Sequence, residues 1–460
     1  MDKDFLIYGY SSPTDGYWYY DGKEEHYTGE DYRTTERYRE YKYCGFNLLF
    51  LQNNDPYRGE EWESSQTKKN MDNAYAAGIK KITVCDRRLL ELSNAEGGII
   101  GETMGVFKPF KDEKHLREFV AYCMKDYIKH PAFCGVMLID EPSWKKLPSV
   151  AQMTKAIKDV APQAFVQCNL LPLYAGSTHL FVEGGEKLDS ISVDSSRKAF
   201  VKYITDYLDS SDSQVLTYDS YPMREQPDTG KFILRYHLAG LQASADELKK
   251  RNKQFHLVLQ AVEYITDGKI RFRRPTEADM RWQTNAALAF GVKGFSYYSY
   301  WAKQQNYFGG DHVDGSSFIT HDGRQTPLYR AVKKIHGELA ELKYLLDCEY
   351  DDSTFYADET AAPEYVKFMY KRDLTDSVKI KECNTSALIV TKLTHKTDGN
   401  AVICLFNAED TEVNPVIAKI KAEFGGEIVK TFSLKNPKGF DEKEITLEAG
   451  DAAFIVVKEK

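Results

Sequence analysis

The stretch Phe133-Cys134-Gly135-Val136-Met137-Leu138-Ile139-Asp140-Glu141-Pro142-Ser143-Trp144 decides how this chain is read. Its first seven residues are a nearly unbroken apolar run, the pattern of a strand buried on both faces. The run delivers two adjacent carboxylates and stops at a proline, which has no N–H with which to continue a ladder. Carboxylates at the exit of a buried strand lose hydration. A general acid gains from that position, because desolvation lifts its pKa toward neutrality. The structural alternative is an ion pair that closes the strand.

On either side of this stretch the same rhythm repeats. Apolar runs at 5–10, 46–51, 81–86, 164–168, 214–218, 255–260 and 294–298 read as strands, and each run but the last is followed by a polar loop and a helical pattern. Helical character covers 34–43, 68–77, 113–128, 147–160, 199–208, 232–252 and 276–290, with Gly45 and Gly78 as C-terminal caps. An amphipathic helix at 329–346 carries Val332, Ile335, Leu339, Leu342 and Leu345 on one stripe. Eight strand–helix units are the number that closes a parallel (β/α)8 barrel. A doubly wound open sheet is the alternative, disfavoured because no glycine-rich phosphate loop appears.

Beyond Asp347 the pattern changes to short β-prone runs at 387–393, 401–406, 416–420, 428–432 and 452–457. The expectation is a barrel over 1–346 followed by a small all-β sandwich over 347–460, the latter a packing partner for the former.

Composition narrows the function. A formal net charge of −8 and the lack of a basic tract give no support for nucleic-acid binding. No apolar run is long enough for a membrane span. The eight cysteines lack the spacing of a zinc or redox site and read as free thiols, which favours a cytoplasmic location. An exported protein whose signal segment has been removed is the alternative. The 31 Tyr and 24 Phe fit a cleft that offers flat apolar faces to sugar rings.

In an eightfold barrel the active site forms where the C-terminal strand ends converge. Those ends carry Tyr10-Ser11, Gln52-Asn53-Asn54, Asp86-Arg87-Arg88, Asp140-Glu141, Asn169, Asp219-Ser220-Tyr221, Gln260 with Glu263, and Tyr298 to Trp301. They are carboxylates, amides and aromatics, without the histidine or cysteine cluster of a metal site and without a Ser-His-Asp elbow. No metal or organic cofactor is expected. Such a set suits glycoside hydrolysis, in which one carboxyl group protonates the leaving oxygen and another attacks or stabilises the anomeric centre.

Here the chain resembles the clan A glycoside hydrolases, (β/α)8 barrels that often carry a C-terminal β-sandwich. The resemblance rests on Asp140-Glu141-Pro142, on Tyr218-Asp219-Ser220-Tyr221-Pro222, and on Tyr298-Ser299-Tyr300-Trp301. The stretches from Leu288 to Gly294 and from Asp322 to Tyr329 are also similar to that group. It implies a carbohydrate substrate and makes Glu141 the acid/base. Two departures stand out. The clan has Asn before its acid/base, where this chain has Asp140, whose charge would raise the Glu141 pKa. The clan's nucleophile ends the seventh strand, where this chain has Gln260; Glu263 follows three residues later, and Asp219 is the reserve second carboxylate. A retaining mechanism is expected, with a catalytically lapsed, glycan-binding barrel as the alternative. Asn169 and Gln260 are expected to bind hydroxyls. Trp18, Trp144, Tyr221, Tyr298 and Trp301 are expected to form sugar-stacking walls. His256 reads as a packed histidine and Asp86 as a salt-bridged strand end.

Overall fold

A computed structural model describes residues 4–16, 18–20, 23–51, 56–103, 106–175, 193–225, 233–266, 270–302 and 316–459. Eight parallel strands form the barrel: β1 (Leu6–Gly9), β2 (Leu49–Phe50), β3 (Ile82–Cys85), β4 (Phe133–Asp140), β5 (Phe165–Leu170), β6 (Val215–Asp219), β7 (Gln254–Gln260) and β8 (Gly294–Tyr298). Helices follow them in turn: α1 (Thr35–Tyr43), α2 (Gln66–Ala76), α3 (Glu113–Met124), α4 (Leu147–Val160), α5 (Val193–Ser210), α6 (His237–Arg251), α7 (Glu277–Ala289) and α8 (Pro327–Glu341). From β2 to β8 each strand pairs with the next in sequence, and β8 pairs with β1.

The seam between β1 and β2 is closed by Asn47. Its amide accepts from the Ile7 N–H at 2.9 Å and donates to the Phe5 carbonyl at 2.7 Å, so a side chain stands in for ladder partners. The ladder of β2 with β3 spans only Leu49 and Phe50, although the apolar run is longer.

Caps fix the helix starts. Thr34, Ser65 and Asp112 each accept from a backbone N–H of the first turn, and Thr276 forms a capping box with Asp279. Each such cap contributes about 1 kcal/mol. Asp86 caps a further short helix, Arg87–Ser93, while binding Arg88 at 2.6 Å.

Inside the barrel, Tyr8, Tyr10, Leu48, Phe50, Cys85, Met137 and Val258 form one apolar cluster. His256 is fully buried there, in space that only a glycine on β8 leaves free: a Cβ on Gly294 would lie 2.3 Å from the imidazole. The eight cysteines are free thiols, and none of the described helices is long and apolar enough to cross a membrane.

After α8 the chain passes through a 3₁₀ turn, Lys343–Asp347, into eight antiparallel strands. These are β9 (Cys348–Phe355), β10 (Val378–Cys383), β11 (Leu388–His395), β12 (Ala401–Asn407), β13 (Ala418–Phe424), β14 (Gly426–Phe432), β15 (Ile445–Leu447) and β16 (Ala452–Glu459). They form a five-stranded sheet, β9-β11-β12-β16-β14, and a three-stranded sheet, β10-β13-β15. The uninterrupted apolar runs of β12 and β16 have a simple cause. Val402, Cys404, Phe406, Phe454 and Val456 face the barrel core, while Ile403, Leu405, Ala453 and Ile455 face the second sheet. The larger sheet is thus buried on both faces.

The junction is dense and polar groups inside it are paired. Trp282 of α7 meets Phe406 with ring centroids 5.3 Å apart. Arg273 binds Asp279 at 2.5 Å and Asp410 at 2.9 Å, and both carboxylates are fully buried. The Gln242 amide donates to Ser353 and accepts from the Tyr370 N–H.

Candidate active site

The strand that organises the sequence also departs most from regular geometry. Strands β4 and β5 press so closely that a Cβ on Gly135 would lie 1.9 Å from the Phe165 carbonyl oxygen. Their register pairs Met137 with Gln167 but Asp140 with Asn169, so an extra residue bulges from β4 in between. Without the bulge Ile139 would stand opposite Asn169. With it, Asp140 takes the inward position instead, a re-aiming that bulges commonly perform. The next residue, Glu141, keeps the ladder going through its N–H to the Asn169 carbonyl at 2.8 Å, but its φ is +45°. A non-glycine residue in the left-handed region costs about 1–2 kcal/mol. Two successive side chains, which a regular strand sends to opposite faces, are thereby gathered into one cleft.

Asn169 ties the cluster together. Its Nδ2 donates to Asp140 Oδ1 at 3.0 Å and to Asp219 Oδ1 at 3.1 Å. Asp219, at the end of β6, is 3% exposed and shares a hydrogen bond with the Glu141 carboxyl. Asp140 and Glu141 keep surface open toward the barrel mouth. Protein packed around the Glu141 carboxyl nevertheless pushes its pKa up to about 7; burial is the main cause and the Asp140 charge the second, opposed by the hydrogen bond with Asp219. Asp219 is driven well above the carboxylate range by burial and then by the charges of Glu141 and Asp140. Two carboxyl groups in hydrogen-bond contact do not both ionise readily, which is the sense of both shifts.

Aromatic rings flank the cluster. Tyr221 stacks on Tyr298 at 5.8 Å and 25°, and Tyr298 meets Tyr10 edge-on at 6.3 Å. Tyr221 and Tyr298 are half-buried and keep open surface. Trp144 is half-buried, three residues beyond Glu141 at the start of the turn Trp144–Lys146. Trp301 is 1% exposed, its indole N–H donating to the His321 carbonyl at 3.2 Å and its ring packed on Tyr32, so it is a core ring rather than an open platform. Trp18 begins a hairpin strand, Trp18–Tyr20, whose side chains lie outside the described residues, as do Gln52, Asn53 and Asn54.

The end of β7 is built differently. Gln260 is fully buried and its amide is consumed by backbone: Oε1 accepts from the Met223 N–H at 2.9 Å, and Nε2 donates to the carbonyls of Val262 and Arg273. Gln283 of α7 bonds both the N–H and the carbonyl of Gln260. Glu263 lies beyond the strand, its carboxylate 3.1 Å from the Arg274 guanidinium. Among the described residues no group of three or more His, Cys, Asp or Glu side chains is arranged to hold a metal ion.

Two tyrosines that the sequence did not single out support the site. The Tyr203 hydroxyl of α5 donates to the Pro142 carbonyl at 2.5 Å and so pins the residue after Glu141. Tyr174 accepts from the Tyr221 N–H at 3.3 Å. Neither stands out in a chain so rich in tyrosine.

No protein-family model matches the chain, and no curated protein matches it. Among solved structures, a glycoside hydrolase family 5 protein from Bacteroides vulgatus aligns over 99% of this chain and 89% of its own, at 12% identity and a TM-score of 0.51. A glucosidase from Croceicoccus marinus covers 100% and 97% at 11% identity and a TM-score of 0.43. The endo-beta-1,4-mannanase of Thermotoga petrophila covers 93% and 94% at 10% identity and a TM-score of 0.39. These neighbours are glycoside hydrolases; what the family 5 protein shares with this chain, at 12% identity, is the fold.

Proposed function

We propose that this chain hydrolyses β-linked glycosides, with Glu141 as the general acid/base. The observation that carries the reading is the end of β4, where a bulge and a left-handed residue bring Asp140 and Glu141 into one cleft with Asp219. A carboxyl group with a pKa near 7 is half protonated at neutral pH and so suits both donation to a leaving oxygen and recovery of the proton. Asp140 accepts hydrogen bonds from sugar hydroxyls and holds the Glu141 pKa up through its charge. Tyr221 and Tyr298 offer ring faces to the sugar.

The hydrogen bond between Asp219 and Glu141 favours Asp219 as a partner of the acid over Asp219 as the second catalytic carboxylate, since the carboxyl groups lie roughly 5–5.5 Å apart in retaining enzymes and roughly 6.5–9.5 Å apart in inverting ones. On this reading Asp219 acts on the proton of Glu141, and Glu263 takes the nucleophile role in a retaining mechanism. A second reading has its own observation: the Gln260 amide, where the resemblance calls for a nucleophile, is committed to backbone. A barrel that binds glycan without cleaving it is consistent with that.

The test is the anomeric configuration of the product, followed by proton NMR on a panel of β-linked glycans. Retention supports Glu263 as nucleophile, and inversion removes it from that role. Cleavage of nothing on the panel favours the binding-only barrel.

A further inference from the structure

On the flank of the barrel, α5 and α6 border a groove of about 990 Å³ whose third side is formed by Asp351 and Asp352 of β9 with Tyr370 and Arg372. Each helix gives the groove one face. Lys198, Lys202 and Asp206 recur at four-residue spacing on α5, as do Asp246 and Lys250 on α6. From Arg197 to Asp206 the groove follows α5 for about 14 Å at 1.5 Å per residue, which is longer than one sugar ring. It lies on the outer side of the helices, away from the strand ends that carry Glu141.

Tyr370 stands in this groove 45% exposed, and it is held there. The buried Gln242 amide clamps its backbone, Oε1 accepting from the Tyr370 N–H at 2.6 Å and Nε2 donating to the Tyr370 carbonyl at 3.1 Å. The guanidinium of Arg197, itself buried, covers the ring at 3.9 Å and donates to the Phe368 carbonyl. An exposed ring fixed in this way loses little freedom when a ligand settles on it, so less of the binding energy goes into ordering.

The charges around the ring are already matched. Arg372 binds Asp246 and Asp352, each at 2.6 Å, Lys249 binds Asp351 at 2.5 Å, and Lys202 binds Asp206 at 2.6 Å. A polyanion or a polycation gains little from such a surface. A neutral glycan gains more: its hydroxyls find fixed donors and acceptors, and its C–H faces find an aromatic ring.

We propose that this groove is a second glycan site, separate from the Glu141 cleft, that holds a stretch of neutral polysaccharide against the Tyr370 ring, with Asp246 and Arg372 bonding its hydroxyls. The choice of ligand class rests on the glycan reading above.

The test is affinity electrophoresis of the full chain in gels that contain a soluble mixed-linkage β-glucan, glucomannan or arabinoxylan. Wild type, Tyr370→Phe and Tyr370→Ala are compared, and the urea midpoint of each variant reports on its fold. Wild-type turnover of a small aryl β-glycoside is followed alongside. The expected result is retardation of wild type and Tyr370→Phe alike by at least one polysaccharide, with affinity about tenfold weaker in Tyr370→Ala, the loss of one stacked ring. No retardation of wild type in any gel, or equal retardation of Tyr370→Ala, overturns the site. A loss in Tyr370→Phe as large as in Tyr370→Ala overturns the stacking role of the ring. Retardation that depends on Tyr370 in a chain without turnover leaves the site standing and removes the hydrolase reading; turnover with retardation indifferent to Tyr370 does the reverse.

Discussion

The ends of β4 and β7 were expected to supply the two halves of one reaction, yet they are built on opposite principles. At the end of β4 the backbone leaves regular geometry twice, through a bulge and a positive φ at Glu141, and carboxylates are held where burial and mutual charge disfavour ionisation. At the end of β7 the geometry is relaxed, and every polar atom of the Gln260 amide closes a backbone vacancy. Strain and desolvation at one strand end, and complete satisfaction at the other, are what the proposed roles call for, Glu141 kept for chemistry and Gln260 for the fold.

The largest effect that would sharpen this contrast is on turnover. Glu141→Gln keeps the shape of the cleft but removes the proton, and glycoside turnover should fall about 10²–10⁴-fold while substrate affinity persists. Activity within a fewfold of wild type would move the chemistry elsewhere. Gln260→Leu should act on stability instead. It strands the Met223 N–H and two carbonyls, and unfolding free energy measured in urea should drop by about 2–4 kcal/mol. A neutral outcome there would break the comparison from the other side. Asp219→Asn should be milder than either. An asparagine keeps the shape of Asp219 and a hydrogen-bonding group beside Glu141 without the charge, so turnover should stay within about tenfold of wild type; a loss as deep as that of Glu141→Gln would restore Asp219 to direct catalysis.

Much of this was legible in the sequence, for identifiable reasons. The apolar run at 133–139 with its two carboxylates reads as a buried strand feeding a site because burial on both faces demands unbroken apolarity. The same logic exposed β12 and β16. The acidic run Cys348–Phe355 was not read as a strand, since Glu349, Asp351 and Asp352 have poor strand propensity and form one only because β11 pairs with them along an edge. The bulge in β4 and the turned backbone of Glu141 leave no trace in the sequence, because both arise from register against β5. Trp301 looked like an open platform, and what fills the space over it, Tyr32 and the loop around His321, comes from distant parts of the chain. Tyr203 was hidden for the same reason: its role depends on α5 lying against Pro142.

The account's central claim is that Glu141 serves as an acid because its surroundings hold its proton at neutral pH. The pH dependence of kcat/KM on an activated β-glycoside tests it most directly. With the Glu141 pKa raised to about 7, kcat/KM should decline as pH rises through about 7, and in Asp140→Asn the decline should begin at lower pH, because the charge that helps raise the pKa is gone. A profile that stays flat from pH 5 to 9, or a limb that does not move in Asp140→Asn, would contradict the claim.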